Sequence, residues 1–229
     1  EQQRDALVGV FLVFHLTVNA SIVAGGEAFQ DQVDRLHSIE PFLLPAEIFG
    51  IFLPILFHAV VGLQIWFSGQ PNVATYKYGG NVRYTLQRVS GGIAFVFILY
   101  HLWHLHWLGK PFGGGFFEHD DGRAAETVAA AISQTVLGIP VAVFYVIGVV
   151  AAVYHLSNGI WTMLITWGVT VGASSQRASG YACAVFGVAL GIAGLSSVRG
   201  FRLLPHQSEA AQLEPDVESH VAIPPTQPG

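Results

Sequence analysis

Four histidines of this 229-residue chain each lie inside a separate apolar segment, where an ionisable side chain is costly. They are His15, His58, His101 and His155. An imidazole nitrogen is a common metal ligand, and two histidines can occupy both axial positions of one haem iron. The four residues therefore predict two bis-histidine haems. The alternative, buried histidines that only hydrogen-bond to neighbouring helices, explains one such residue more readily than four.

The cysteine content restricts the kind of haem. The chain has one cysteine, Cys183, and no C-x-x-C-H motif. An iron–sulfur cluster and a covalently attached c-type haem both need more cysteines than this. We therefore expect haem b, held only by bonds to iron and by packing.

The helices that must position these histidines are membrane spans. Hydrophobic residues make up 52% of the chain and charged residues 11%, and the mean hydropathy is +0.51, whereas a soluble domain is about 25% charged. Five apolar segments are close to the roughly 20 residues that cross a bilayer. They are residues 6–25, 42–67, 86–108, 136–167 and 182–198.

The sequence thus predicts an all-α fold, an integral membrane bundle of five transmembrane helices that encloses two stacked b haems. Residues 1–202 form this cytochrome domain, and residues 203–229 form a polar, irregular tail. The first segment lacks the basic flank of a signal peptide and contains His15, so we interpret it as a mature helix. Pro54 is expected to kink the second helix one turn before His58.

Basic residues in the connections predict the orientation. Lys77 and Arg83 lie before the third segment and Arg177 lies after the fourth, with no acid in either connection. Cytoplasmic loops are enriched in Lys and Arg, so these connections are expected on the cytoplasmic side of the plasma membrane. The amino terminus is then cytoplasmic and the carboxyl terminus outside. Arg199 and Arg202, after the fifth segment, argue mildly against this.

Chain direction predicts how the histidines pair. His58, His101 and His155 each lie roughly 22 Å along their own helix, beyond the middle of a hydrocarbon core about 30 Å thick. The second and fourth helices run one way and the third runs the other. His58 and His155 therefore share the cytoplasmic half, and His101 shares the outer half with His15.

His104 is an alternative ligand, because it is three residues from His101 and on roughly the same face. It lies near His106, Trp103 and Trp107, a combination typical of an aromatic cluster at the membrane interface. We therefore favour His101 as the ligand.

Helical phase adds a candidate for proton exchange with a quinone. Glu47 precedes His58 by 11 residues, which is close to three helical turns. It is therefore predicted on the same face of the helix as His58, roughly 16 Å closer to the outer side of the membrane. The equally weighted alternative is an interfacial glutamate at a helix start, favoured by the helix dipole.

Three more candidates lie near the start of the third segment. Ser90 precedes His101 by 11 residues and falls on its face at the depth of the inner haem. Gly91 carries no side chain where a porphyrin could approach the backbone. Arg88 could neutralise a haem propionate or bind a quinone oxygen, or it could simply be a basic anchor at the cytoplasmic edge.

Five strings around these residues carry a family resemblance: FHLTVN, AEIFGIFLPILFHAVVG, LQRVSGG, YHLWH and YHLSNGIWTMLITWG. Over residues 10–199 the chain resembles the cytochrome b membrane anchor of succinate dehydrogenase and fumarate reductase (complex II), in its five-helix dihaem form. The resemblance implies that His58 and His155 bind the haem nearer the iron–sulfur subunit. It implies that His15 and His101 bind the distal haem.

The resemblance also implies a quinone, menaquinone for the dihaem type, near Arg88 and Ser90. Asn158, in the last string, is a further candidate for cofactor binding. The implied partners are a flavoprotein subunit and an iron–sulfur subunit, together with membrane lipid, and a higher oligomer of the complex is left open. The formal net charge of −5 gives no reason to expect nucleic acid.

The expected function is membrane anchor and electron conduit. The chain shows no flavin or dicarboxylate site of its own, so it is expected to be a subunit of an enzyme rather than a complete one. Two alternatives remain: the dihaem anchor of a hydrogenase or formate dehydrogenase, and a haem-free transporter that uses its histidines as a proton relay.

Overall fold

The computed structural model describes residues 2–69, 75 and 78–221, with side chains described for residues 7–69, 75 and 78–204. The described part is almost entirely helical. Its α-helices are α1 (Gln2–Ala20), α2 (Gly26–His37), α3 (Glu40–Ala46), α4 (Leu53–Ser68), α5 (Gly79–Leu105), α6 (Ala124–Ile132), α7 (Val141–Thr166) and α8 (Ala173–Val221). The remaining elements are 3-10 helices at Ser21–Ala24, Trp107–Phe112 and Asp120–Gly122, a π-helical segment at Glu47–Phe52, and strands β1 (Thr135–Val136) and β2 (Ile139–Pro140).

Four helical stretches are long and apolar enough to cross a membrane: Leu7–Ala24, Glu40–Ser68, Val141–Thr166 and Ala173–Leu204. The prediction of an all-α fold is therefore confirmed, and these stretches are consistent with a membrane bundle. Helix α5 has 27 residues and is about 40 Å long, but it carries Arg83 and Arg88 in its first half. Its place as the fifth span, and with it the five-helix count, stays a prediction.

The stretch Glu40–Ser68 is not one regular helix. Its π-helical segment separates α3 from α4 and ends directly before Leu53 and Pro54. Proline has no amide hydrogen to donate to the preceding turn, so the irregularity lies where the sequence predicted a kink. A π-helical turn contains more residues than an α-helical one. The 11 residues from Glu47 to His58 therefore no longer equal three turns, and the phase argument for Glu47 does not hold.

Helix α7 is the centre of the bundle. Half of its apolar window is buried, compared with 6% for the Glu40–Ser68 stretch. Close approaches at glycines fix its position: the ring of Phe97 on α5 packs directly on Gly148, and Val149 packs on Gly194 of α8. Helices α5 and α8 are thus both held against α7 at consecutive residues, Gly148 and Val149.

The connections after the first and the third apolar segments contain short amphipathic helices, α2 and α6. Helix α2 buries Phe29 and Val33, and α6 buries six of its nine residues. They share one hydrophobic core with Val198 and Phe201 of α8. We call α2 and α6 together the helical cap.

A hairpin sets the start of α7. Leu137 (φ 52°) and Gly138 (φ 78°) form the turn between β1 and β2, the left-handed pair of conformations that suits a two-residue hairpin loop. Helix α7 therefore begins at Val141, five residues later than the apolar segment in the sequence.

Helix α8 continues through Val221, whereas the sequence predicted an irregular tail from residue 203. The stretch SEAAQLE consists mainly of strong helix formers. Their propensity outweighs the two prolines, Pro205 and Pro215, that suggested irregular structure. Residues 222–229 of the predicted tail lie outside the described part, as does Lys77 of the orientation argument.

Candidate haem-binding centre

His58 of α4 and His155 of α7 form the first histidine pair. Their ring centroids are 5.9 Å apart and the ring planes are inclined at 80°. The Nδ1–H of His155 donates to the backbone carbonyl of Gln87, at 3.0 Å. This bond fixes the tautomer, so the Nε2 of His155 keeps a lone pair for a metal.

Gln87 organises the surroundings of His155. Its side-chain amide donates to the His155 carbonyl at 3.0 Å and accepts from Nδ2 of Asn158 at 2.8 Å. The hydroxyl of Ser90 donates to the same Gln87 carbonyl that His155 uses, at 3.1 Å. Gln87 lies inside the LQRVSGG string but was not among the predicted site residues. Nothing in the sequence marks Gln87 as a site residue, because its partners on α7 become evident only when α5 and α7 are packed together.

Gly91 lets α5 approach the His155 ring. A Cβ atom at Gly91 would lie 2.8 Å from Cε1 and 3.0 Å from Nδ1 of that ring. The sequence predicted that Gly91 makes room for a porphyrin. In the structure the group that fills this space is the imidazole itself.

His15 of α1 and His101 of α5 form the second pair, with ring centroids 5.7 Å apart and planes inclined at 78°. His101 is enclosed by Phe97 and Tyr145, each with its ring centroid 5.7 Å away. Its Nδ1 is buried with no hydrogen-bond partner among the described residues. Beside His15, the Nδ2 of Asn19 donates to the His15 carbonyl at 2.8 Å. The structure therefore brings together the same two pairs that the depth argument predicts.

The donor set fits haem iron. A nitrogen–metal bond is about 2.0–2.1 Å long, so two imidazoles on opposite sides of one metal have ring centroids roughly 6 Å apart. Both pairs are close to this separation. Within the described residues no three His, Cys, Asp or Glu side chains come together as a metal cluster. Two protein ligands suffice for haem, since the porphyrin supplies the other four.

The helix that carries His58 leaves space for a planar ligand. Within residues 40–68, all of which are described, only Pro54 is buried. Most of the surface of α4 is therefore not covered by other described side chains. The residues of the first pair thus fit a haem in their chemistry and in the separation of their rings.

His104 lies in an aromatic cluster, as its position suggested. Its side chain is fully buried, and its ring is near those of Trp103 and Tyr145. Its Nδ1 lies 2.8 Å from the hydroxyl of Tyr145, and its ring stacks on Tyr100 at 5.2 Å. His15 faces His101, not His104, so the structure favours His101 as the ligand.

Glu47 lies at the His101 end of the bundle. Its Oε2 is 3.8 Å from Nε2 of His106, which follows α5 by one residue. This contact puts the carboxyl near the depth that was predicted for it. The prediction used the helical phase of Glu47 relative to His58, whereas in the structure its position follows from the contact with His106. Both side chains are only about a quarter exposed or less.

Arg88 caps α4. Its guanidinium donates to the carbonyls of Trp66 and Ile65 at the carboxyl end of that helix and to the hydroxyl of Tyr84 at 3.1 Å. Basic side chains stabilise helix carboxyl ends because the last carbonyls lack helical partners. This geometry supports the anchoring interpretation of Arg88, while contact with a propionate or quinone stays a prediction.

Residues 70–194, more than half of the chain, match the family model described as succinate dehydrogenase/fumarate reductase transmembrane subunit. The chain belongs to this family. A curated relative, the succinate dehydrogenase cytochrome b558 subunit of Bacillus subtilis (strain 168), is 36% identical over 199 residues, covering 85% of this chain and 90% of the relative. No solved structure matches the chain.

These matches confirm the family that the histidine-containing strings indicated. The chain is a membrane-anchor cytochrome b of the succinate dehydrogenase and fumarate reductase family. The family model spans His101 and His155, and His15 and His58 lie before its start. Family membership supports haem b as cofactor. The number of haems and their ligands stay predictions.

Proposed function

We propose that this chain is the anchor subunit of a succinate:quinone oxidoreductase and carries electrons between an iron–sulfur subunit and membrane quinone through two bis-histidine b haems. The observation that carries the proposal is the presence of two histidine pairs, His58–His155 and His15–His101, at separations that suit one iron each. Their positions on antiparallel helices put the two pairs at different depths.

The bound haems supply reversible one-electron transfer. The chain's own residues hold and orient them: His155 through the Gln87 carbonyl, and His101 through the aromatic wall of Phe97 and Tyr145. These side chains also exclude water, and a dry surrounding raises the cost of charge at the iron and so tunes its potential.

The arrangement of the complex follows from this assignment. A flavoprotein subunit and an iron–sulfur subunit dock on the cytoplasmic face of the plasma membrane, nearest His58 and His155. The amino terminus is cytoplasmic and the carboxyl terminus outside. Quinone, menaquinone for the dihaem type, exchanges electrons near Glu47 or near Arg88 and Ser90.

The test is the haem content of the purified native complex. We expect two low-spin b haems per chain, both removed by acid acetone because nothing links them covalently, and both reducible by succinate. One haem per chain would contradict the four-histidine interpretation. Hydrogenase or formate dehydrogenase subunits in the complex would identify another dihaem anchor. A protein without a reduced α-band would be the haem-free transporter.

A further inference from the structure

A cavity of about 460 Å³ lies at the end of the bundle where α5 begins, α7 ends and α8 begins. Its lining includes Arg83 of α5, Trp161 of α7, and Gln176, Arg177 and Tyr181 of α8. None of the proposed haem ligands belongs to this lining. Its volume is within the range of small-molecule sites in proteins, about 300–1,000 Å³.

The cavity carries positive charge without a balancing acid. Arg83 and Arg177 both line it, and no lining residue is acidic. The sequence has no Asp or Glu from residue 48 to 117 or from residue 127 to 208, so the parts of α5, α7 and α8 that line the cavity supply none. Two arginines brought together in this way attract an anion, and a guanidinium matches the oxygens of a phosphate in particular.

The wall of the cavity is held in place. The indole N–H of Trp161 donates to the Gln176 carbonyl at 2.8 Å, and the guanidinium carbon of Arg83 lies 4.2 Å from the Trp161 ring centroid. The Gln176 side chain donates to the carbonyl of Thr170 in the α7–α8 connection, at 3.1 Å. One arginine is thus preoriented by a cation–π contact.

The position of the cavity points to a lipid. It lies where the candidate span Val141–Thr166 ends and the span Ala173–Leu204 begins. Lipid headgroups lie at the ends of the apolar part of a transmembrane helix. From Tyr181 an apolar stripe continues along α8 at helical spacing, through Val185, Val188 and Ile192, all more than 60% exposed. A basic cavity joined to an apolar stripe matches a phospholipid, whereas a free phosphate would use only the cavity.

We propose that this cavity binds the phosphate of an anionic phospholipid. The guanidinium groups of Arg83 and Arg177 contact the phosphate, Trp161 forms the wall, and the acyl chains lie along the stripe that begins at Tyr181. Basic pockets between helices at a membrane surface are suited to such headgroups.

The test measures lipid binding to the delipidated native complex by native mass spectrometry, with phosphatidylglycerol and phosphatidylcholine as probes. We expect wild type to bind one phosphatidylglycerol per chain more tightly than phosphatidylcholine. The double variant R83Q/R177Q should lose at least tenfold in affinity for phosphatidylglycerol, and Arg177→Gln alone roughly fivefold. Arg177 is exposed and on the first turns of α8, so the single variant remains informative if the double variant does not assemble.

The matched control is Arg199→Gln, which removes the same charge from an exposed position near the other end of the span Ala173–Leu204 and should leave lipid affinity unchanged. Gly180→Leu, which fills the cavity beside Trp161 without removing charge, should weaken binding as well. Equal affinities of wild type and R83Q/R177Q would overturn the proposal. So would loss of the catalytic subunits from R83Q/R177Q with lipid affinity intact, which would identify a protein-docking surface. Competition by inorganic phosphate at concentrations comparable to the lipid would overturn it too, as a free-anion site.

Discussion

At the scale of single residues, the two histidine pairs differ in how their rings are oriented. His155 is fixed by a hydrogen bond from its Nδ1 to the Gln87 carbonyl. His101 is held by ring contacts with Phe97 and Tyr145. The hydrogen bond to Gln87 sets both the tautomer and the ring orientation of His155, whereas the aromatic contacts set only the ring orientation of His101.

The pairing of ligands can be tested by spectra of single variants. His58→Ala and His155→Ala should each remove the same haem, because an open axial position loses an iron–nitrogen bond and leaves the partner imidazole alone. His15→Ala and His101→Ala should remove the other haem. The measurement is the reduced α-band of the purified complex, resolved into its two components.

His104→Ala is the control for this series, since His104 is buried beside Tyr145 and does not face His15. We expect both haems to be retained in it. If His104→Ala lost a haem and His101→Ala kept both, the choice of His101 would be wrong. If His58→Ala and His101→Ala removed the same component, the pairing would be wrong.

Gly91 gives a second test, because the space for its side chain is taken by the His155 ring. In Gly91→Ala the new methyl carbon would lie 2.8 Å from Cε1 of that ring, so the imidazole must move. We expect the haem of the His58–His155 pair to be lost or to shift its absorption and potential, with the other haem unchanged. Gly62→Ala, on α4 with nothing within 4 Å of the added carbon, should leave both haems as in wild type.

Glu47 is the residue for which proton exchange with quinone can be tested. Glu47→Gln keeps the size of the side chain but removes the titrating group. We expect both haems to remain bound and reducible by succinate, while electron exchange with quinone slows by at least roughly tenfold. Unchanged quinone turnover would leave Glu47 as the partner of His106 alone, and loss of haem would make its role structural.

Sequence reasoning reached the histidine pairs because depth depends only on residue count and chain direction. It missed Gln87 and the contact of His104 with Tyr145, because both depend on which faces of α5 and α7 meet. Its phase argument for Glu47 failed at the π-helical segment, since three-turn spacing assumes a regular α-helix.

At the scale of elements, the helical cap was the part that sequence reasoning missed. Helices α2 and α6 are both much shorter than the roughly 20 residues of a membrane span, and α2 also carries four charged residues. Their apolar faces become evident only when they meet Val198 and Phe201 of α8. Short amphipathic helices gain most of their stability from such tertiary packing and little from propensity.

Phe201 is the residue on which the packing of the cap can be tested. It is 2% exposed, and its ring meets Phe29 edge-on at a centroid distance of 5.0 Å. Phe201→Ala should lower the free energy of local opening of the cap by roughly 3–5 kcal/mol. Hydrogen exchange of the α2 and α6 amides, followed by mass spectrometry, should accelerate accordingly.

Leu203→Ala is the matched control, because Leu203 is two residues away on α8 and 37% exposed. Its effect on exchange in the cap should be much smaller. Equal effects of the two substitutions would mean that Phe201 does not hold the cap in place.

At the scale of the whole molecule, composition and segment length were sufficient to predict a helical membrane protein. Four spans meet the criteria of length and hydropathy. Helix α5 is the exception because its first half carries arginines, one of which caps α4. Helix boundaries were less predictable. The β1–β2 hairpin moves the start of α7 to Val141, and helix-forming residues extend α8 to Val221. Neither effect depends on hydropathy.

Helix α5 touches both proposed redox centres: Gly91 packs on His155, and His101 faces His15. These two positions are ten residues apart, so the rise of the helix fixes their axial separation at about 15 Å. Inserting or deleting one residue between them would rotate one centre by about 100° relative to the other, since a turn takes 3.6 residues. The distance between the two proposed redox centres is therefore set by the number of residues between them, which a one-residue change in length alters and a substitution does not.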